Sequence, residues 1–334
     1  MRDRLRIIAL LAGLALSPAL APAPAVASND PSIEKQWALE RIGTPAAWTR
    51  TTGAGVRIGI VDTGVDLTHE DLAGKVVAST SCVGAAGDPA KCSGPAQDDD
   101  GHGTHVAGIA AARKDNGLGV AGVAPDAELV VAKVFQGGSG ASADVFAGIR
   151  WVVDHGARVV NLSLGDLTFL TASTFGSPLA QGVDYAWKHG AVPVVSSGNE
   201  DLLGLGIGSN DYGDLNALVV GATGPDDRVA GYSSPTGNAK WALVAPGGAG
   251  DGPDEHDVFS TYWREGKANQ YAYRYGTSMA VPHVTAAVAL LLAQGHSQQG
   301  AVDRLLATVD TSAPCGPNSP TCKGRLDVAR ATAP

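Results

Sequence analysis

The sequence predicts an α/β fold, a parallel sheet flanked by helices on both faces, in a single domain. Three observations lead there. Short Val-rich runs recur along the 334 residues and do not alternate in polarity, as expected of strands buried on both faces. Segments with helical spacing lie between them, and that alternation is the pattern of βα units. The composition, 44% hydrophobic and 17% charged, is that of a chain able to bury a sizeable core.

Taken in chain order, residues 1–27 stand apart. MRDRLR is basic, IIALLAGLAL is a short apolar run, and AVA at 25–27 is a small-residue cleavage signal before Ser28. A membrane anchor is the alternative, but it needs about 20 apolar residues, and Pro18, Pro22 and Pro24 interrupt this one. The pattern predicts a signal peptide over 1–27, one domain over 28–334, and a secreted, extracellular mature form with no membrane span. Removing the segment's three Arg and one Asp takes the formal net charge from −9 to −11. So acidic a chain argues against nucleic-acid partners, whose binding rests on Lys and Arg neutralising phosphates.

VRIGIVD (56–62), ELVVAKV (128–134), ARVVNLSL (157–164), AVPVVSS (191–197), ALVVGAT (217–223) and WALVAPG (241–247) read as strands. HVAGIAAA (105–112), ADVFAGIRWVVDH (143–155) and LAQGVDYAWKHG (179–190) read as helices. VTAAVALLLAQ (284–294) is apolar on every face, the mark of a buried helix. The four cysteines fall into two close pairs, Cys82 with Cys92 and Cys315 with Cys322. Neither has zinc-site spacing, and two local disulfides fit an oxidising compartment, although four cysteines allow three pairings.

In parallel sheets, sites form at the carboxyl ends of the strands. The first strand ends in Asp62, which is also an ordinary turn former. DDDGHGTHVAG (98–108) places His102 before a small-residue helix. His102 and His105 are spaced as a metal pair could be, but no third ligand accompanies them. His105 and His283 read as core residues. His69, His155, His189, His256 and His296 read as surface residues. VVSSGNE (194–200) puts Asn199 after a strand, with Gly198 allowing close approach. YGTSMAVPHV (275–284) puts Ser278 at the start of the buried helix, where capping is the plain role for a hydroxyl. Yet an alcohol needs a base to act as a nucleophile, and the base needs a carboxylate to orient it. Asp62, His102 and Ser278 supply these three parts. The Asn199 amide and the Ser278 N–H supply donors for an oxyanion.

The segments IVDTGVDLTHEDL, DGHGTHVAG, VVNLSLG, VVSSGN and YGTSMAVPHV, in this order, resemble the subtilisin-like serine proteases, the subtilases. The resemblance runs from about residue 30 to about 330. It implies a secreted serine endopeptidase in which Asp62 orients the imidazole, His102 is the general base and acid, Ser278 attacks and Asn199 stabilises the oxyanion. It implies polypeptide substrates held as an added strand between two edges. One edge is Gly138, Ser139 and Gly140; the other is Ser163, Leu164 and Gly165. Ser163–Gly165 with Ser197, Gly198 and Asn199 would line the pocket for the residue before the scissile bond. A monomer is expected.

The resemblance also implies a structural Ca²⁺ on the loop RKDNGLGVAG (113–122), for which a solvated turn is the plain alternative. Asp30, Asp71 and the Asn116 side chain would be its ligands, with backbone carbonyls from Arg113, Leu118 and Val120. Departures from the family pattern are Asp166 after NLSLG, Tyr275 before GTS, and the segment 201–216. Ser28 also leads at once into what resembles the start of a mature enzyme, so no folding pro-domain is expected. A non-catalytic binding protein and an ester-cleaving acyl hydrolase are the rival readings.

Overall fold

The computed structural model describes residues 28–164, 177–199 and 212–334. Eight of its strands form one sheet: β1 (Arg57–Asp62), β2 (Val76–Ser81), β3 (Glu128–Lys133), β4 (Val159–Leu162), β5 (Val192–Ser196), β6 (Leu218–Thr223), β7 (Trp241–Pro246) and β10 (Cys322–Arg325). Their order is β10-β7-β6-β5-β4-β1-β3-β2, and every pairing is parallel. The remaining two, β8 (Val258–Arg264) and β9 (Lys267–Arg274), form a separate antiparallel hairpin.

Both faces of the sheet are buried, which explains the unbroken Val-rich runs. Ile58 and Ile60 of β1 belong to one core cluster and Val61 to the other, as the two-residue period of a strand requires. The helices are α1 (Trp37–Arg41), α2 (Thr44–Trp48), α3 (His102–Ala111), α4 (Ser142–Asp154), α5 (Pro178–Lys188), α6 (Thr277–Ala293), α7 (Gln298–Ala307) and α8 (Val328–Ala331). Residues of α3 and α6 share the first cluster; those of α4 and α5 share the second. The six expected strands and the four expected helices are all present. The disulfides are Cys82–Cys92 and Cys315–Cys322.

Two helix starts differ from expectation. His102 does not precede α3 but is its first residue. α6 begins at Thr277, well before the apolar run, and carries Pro282 inside it. Proline has no N–H for the carbonyl four residues back, here that of Ser278. That carbonyl instead accepts the Ser163 hydroxyl at 2.7 Å, so the helix continues through the proline. His69 is a further correction. It is fully buried, its Nε2 donates to the Gln270 carbonyl at 2.9 Å, and its Nδ1 accepts the Asp71 N–H at 3.2 Å. His105 and His283 are core residues as expected.

Along the chain, β1, β2 and β3 build to one side of β1 and β4 onward to the other. The crevice at the carboxyl ends of β1 and β4 is therefore the switch point, where a parallel sheet leaves room for a site.

Candidate active site

Asp62 closes β1 at that crevice and is fully buried. Its Oδ1 accepts the Thr63 N–H at 2.7 Å and lies 2.7 Å from His102 Nδ1. A buried carboxylate is an acceptor, so in the neutral imidazole the proton sits on Nδ1 and Nε2 is the free base. Burial favours the neutral ring of His102. The Asp62 charge and hydrogen bond outweigh it, and the net pKa lies above the ordinary 6.5.

The close contact depends on Gly103, where a Cβ would collide with the Gly64 carbonyl oxygen and stand 3.1 Å from Asp62 Oδ1. It also depends on Asp98, which sequence reasoning left inside an acidic run. Asp98 is 1% exposed; its Oδ1 accepts the Thr63 hydroxyl at 2.8 Å and the Asp100 and Gly101 N–H groups at 3.1 and 3.0 Å. Its Oδ2 accepts the Thr104 N–H at 3.0 Å and the Thr104 hydroxyl. One carboxylate thus ties the turn after β1 to the first turn of α3. The three neighbours Asp98, Asp99 and Asp100 have different fates: Asp99 pairs with the buried Lys133 at 2.7 Å, and Asp100 caps the His102 N–H at 3.1 Å.

Ser278 is the second residue of α6, 4% exposed, at the positive end of a buried helix. Its hydroxyl donates to the Ser163 carbonyl at 3.3 Å and forms no hydrogen bond with His102 in this conformation. Ser163 is held in turn by Asn161, whose Nδ2 donates to the Ser163 hydroxyl at 2.9 Å while its Oδ1 accepts Thr285 Oγ1 from α6 at 3.1 Å. This buried network joins the end of β4 to the helix beneath the nucleophile. Residue types at single positions do not reveal it; only the fold brings the four together.

Asn199 Oδ1 accepts both the N–H and the hydroxyl of Thr277 at 2.9 Å. A backbone N–H can only donate, so the amide orientation is fixed and Nδ2 is the group left to donate. Gly276 has φ 142°, and a Cβ on it would stand 3.5 Å from Asn199 Nδ2 and 3.7 Å from the Ser278 N. The glycine keeps open the space that both donors border.

Ser197 and Gly198 are buried behind Asn199; Ser197 Oγ donates to the Ser234 carbonyl at 2.8 Å, and the Gly198 carbonyl accepts the Ser234 N–H at 2.9 Å. Leu164 is buried and its carbonyl accepts Ser196 Oγ at 2.9 Å. Gly165, Asp166 and the segment 200–211 lie outside the described residues, as does the segment 1–27. On the opposite edge, Ser139 exchanges both backbone hydrogen bonds with Gln136, at 2.9 and 3.1 Å. Gly138 and Gly140 flank it and are exposed.

Asp30 and Asp71, 2% and 0% exposed, both reach Asn116. Asp30 Oδ1 accepts the Asn116 N–H at 3.1 Å, and Asp71 Oδ1 accepts Asn116 Nδ2 at 2.8 Å. Asp71 Oδ2 accepts the Val120 N–H at 2.8 Å and the Tyr271 hydroxyl at 3.0 Å. Burial pushes the Asp71 carboxyl up against the opposing pull of these hydrogen bonds. Arg113 is tied instead to the 71–73 turn, through its N–H to the Asp71 carbonyl and its Nε to the Ala73 carbonyl. Leu118 is at the exposed tip of the loop. Among the described residues, no group of three or more His, Cys, Asp or Glu is placed to hold a metal. Asp30 and Asp71 bring carboxylate oxygens, a ligand type Ca²⁺ takes, to this loop, but Asn116 meets both through N–H donors and its Oδ1 accepts the Leu118 N–H at 2.8 Å.

The profile of the Subtilase family matches residues 53–323. Thermitase of Thermoactinomyces vulgaris is 36% identical over 307 residues, covering 91% of this chain and 98% of its own. Subtilisin Savinase of Lederbergia lenta is 39% identical over 259 residues, 76% of this chain and 83% of its own. Among solved structures, a protease of Pseudoalteromonas arctica PAMC 21717 superposes with a TM-score of 0.75 at 27% identity, covering 91% of this chain and 98% of that one. These relatives place the chain, with its parallel α/β fold and an Asp–His pair at the switch point, in the class of serine endopeptidases. The chain is a member of the Subtilase family.

Proposed function

We propose that this protein is a secreted endopeptidase that cleaves polypeptides through Asp62, His102 and Ser278, with Asn199 and the Ser278 N–H as oxyanion donors. The observation that carries this reading is the 2.7 Å contact between His102 Nδ1 and a buried Asp62 carboxylate, because it leaves Nε2 free to accept a proton. To be activated, the Ser278 hydroxyl leaves the Ser163 carbonyl and hydrogen-bonds to Nε2. The oxygen then attacks the scissile carbonyl as His102 takes the proton. Charge developing on the carbonyl oxygen is met by Asn199 Nδ2 and the Ser278 N–H, in the space that Gly276 leaves open. The imidazolium, steadied by Asp62, returns the proton to the leaving amine, and water repeats the sequence on the acyl-enzyme.

Gln136 and Ser139 close a tight turn with Gly137 and Gly138 at its centre at positive φ, so an extended substrate would pair along the exposed Ser139–Gly140 edge once that turn opens. A structural Ca²⁺ would be held by Asp30 and Asp71, with Asn116 joining once its Oδ1 turns from the Leu118 N–H to the ion, compensating two buried like charges that have no ion pair among the described residues. The test is digestion of an unfolded protein by the wild type and by Ser278→Ala, His102→Ala and the double variant. Each single change should remove several orders of magnitude of rate, and the double should be hardly worse than either. Losses that multiply would tell against a shared proton transfer. Cleavage of simple esters with no peptide hydrolysis would favour an acyl hydrolase.

A further inference from the structure

The hairpin β8–β9 packs against α3, and its last residue, Arg274, lies four positions before Ser278. Arg274 Nη1 donates to the Tyr262 hydroxyl at 3.3 Å, and the guanidinium stands 5.6 Å from the centre of that ring. Tyr262 in turn donates to the Asp100 carbonyl at 3.3 Å, and its ring fills the space beside Gly101, where a Cβ would collide with it. The chain of contacts thus anchors a half-buried cation at the first turn of α3, beside His102. This is an unfavourable place for it, because the N-terminus of a helix is its positive end. The charge reaches the imidazole, lowering the pKa of His102 against the larger pull of Asp62.

No carboxylate offsets that cost among the described residues; only the Tyr262 ring and hydroxyl face the guanidinium. Among the described residues Arg274 forms no ion pair; Asp99 is held by Lys133 and Asp100 is turned to cap the helix. An arginine fixed in place by an aromatic ring, with open donors and no carboxylate, is arranged to meet a carboxylate brought by another molecule.

The catalytic geometry says which part of that molecule arrives there. The acyl half of the substrate lies towards Ser163, with its carbonyl between Asn199 and the Ser278 N–H. The leaving amine must face His102, which gives it a proton, so the chain beyond the scissile bond passes the first turn of α3. We propose that Arg274 is a specificity-determining residue that selects an acidic side chain immediately after the scissile bond. This rests on the proteolytic reading above and adds a preference to it.

A peptide library made from a whole proteome, digested by the wild type and by Arg274→Leu, tests both. Each cut exposes the residue after the scissile bond as a new N-terminus, which mass spectrometry reads directly. The wild type should be enriched in Asp and Glu there, and Arg274→Leu should lose the enrichment while keeping the preferences before the cut. A second measurement needs no variant: two peptides differing only by Asp or Asn after the bond. A charge-assisted hydrogen bond predicts about tenfold higher kcat/KM for Asp, shrinking as salt is raised. Equal rates for the two peptides, or enrichment unchanged by Arg274→Leu, would overturn the assignment and leave the proteolytic reading intact. Absence of any cleavage by the wild type would overturn that reading and this one with it.

Discussion

At the scale of single residues, catalysis is a matter of which atom is free. Thr277 occupies the Asn199 carbonyl, and so Nδ2 is the donor. Asn199→Ala should therefore lower kcat by about 10²–10³ with KM nearly unchanged, because the hydrogen bond matters at the transition state. Steady-state kinetics on one peptide would decide it; a change in KM alone would remove Asn199 from the role. Asp62 similarly decides the state of His102. With its pKa raised, the imidazole is protonated to a higher pH than usual, and only the neutral ring can accept the serine proton. Activity should rise through a midpoint above 6.5 and hold into mild alkali. The sign for stability is the reverse: the Asp62–imidazolium pair contributes fully below the unfolded pKa and is lost as pH rises through the folded one. A profile of kcat/KM against pH whose acid midpoint lay below 6 would contradict the Asp62 contact.

At the scale of elements, the legible parts were those whose burial shows in their own residues. The six Val-rich strands and α6 are apolar on every side, and nothing else fits such runs. β8 and β9 were not read, because STYWREGKANQYAYR mixes charge and aromatics and its partner is the α3 face rather than the sheet. Asp62, His102, Asn199 and Ser278 stood out by their places at strand ends and helix starts, but spacing alone left capping and turn-forming roles open until the five motifs together supplied the resemblance. Asp98 was missed for a plainer reason, since a run of three Asp normally marks a solvated turn. Its burial follows from the fold, which wraps the β1 turn and the α3 start around one carboxylate. Asp98→Ala would leave the N–H groups of Asp100, Gly101 and Thr104 without their acceptor. We expect a loss of about 3 kcal/mol, read as a lower unfolding midpoint in an inactive Ser278→Ala background. In the active enzyme kcat should fall as His102 loses its register with Asp62. Unchanged midpoint and kcat would mean that the neighbouring hydrogen bonds hold α3 without it.

At the scale of the whole molecule, the segment around Asp30 and the loop around Asn116 are far apart in sequence and meet on one side of the fold. Ser28, Asn29 and Asp30 all bind the 115–117 stretch, and Asp71 binds it from the turn before β2. The junction gathers three carboxylates, those of Asp30, Asp71 and Asp115, of which only Asp115 has an ion-pair partner, Lys114, among the described residues. A divalent cation would fasten the N-terminal segment to the body by relieving that charge. Binding to the folded state alone would raise stability by about 2.7 kcal/mol at a hundredfold excess over Kd. Calcium should therefore raise the unfolding midpoint of Ser278→Ala protein, which cannot digest itself, and a chelator should lower it. Asp30→Ala/Asp71→Ala in the same background should unfold earlier and lose the response. An equal calcium shift in that variant would place the ion elsewhere, and no shift in either would leave the loop held by its hydrogen bonds alone.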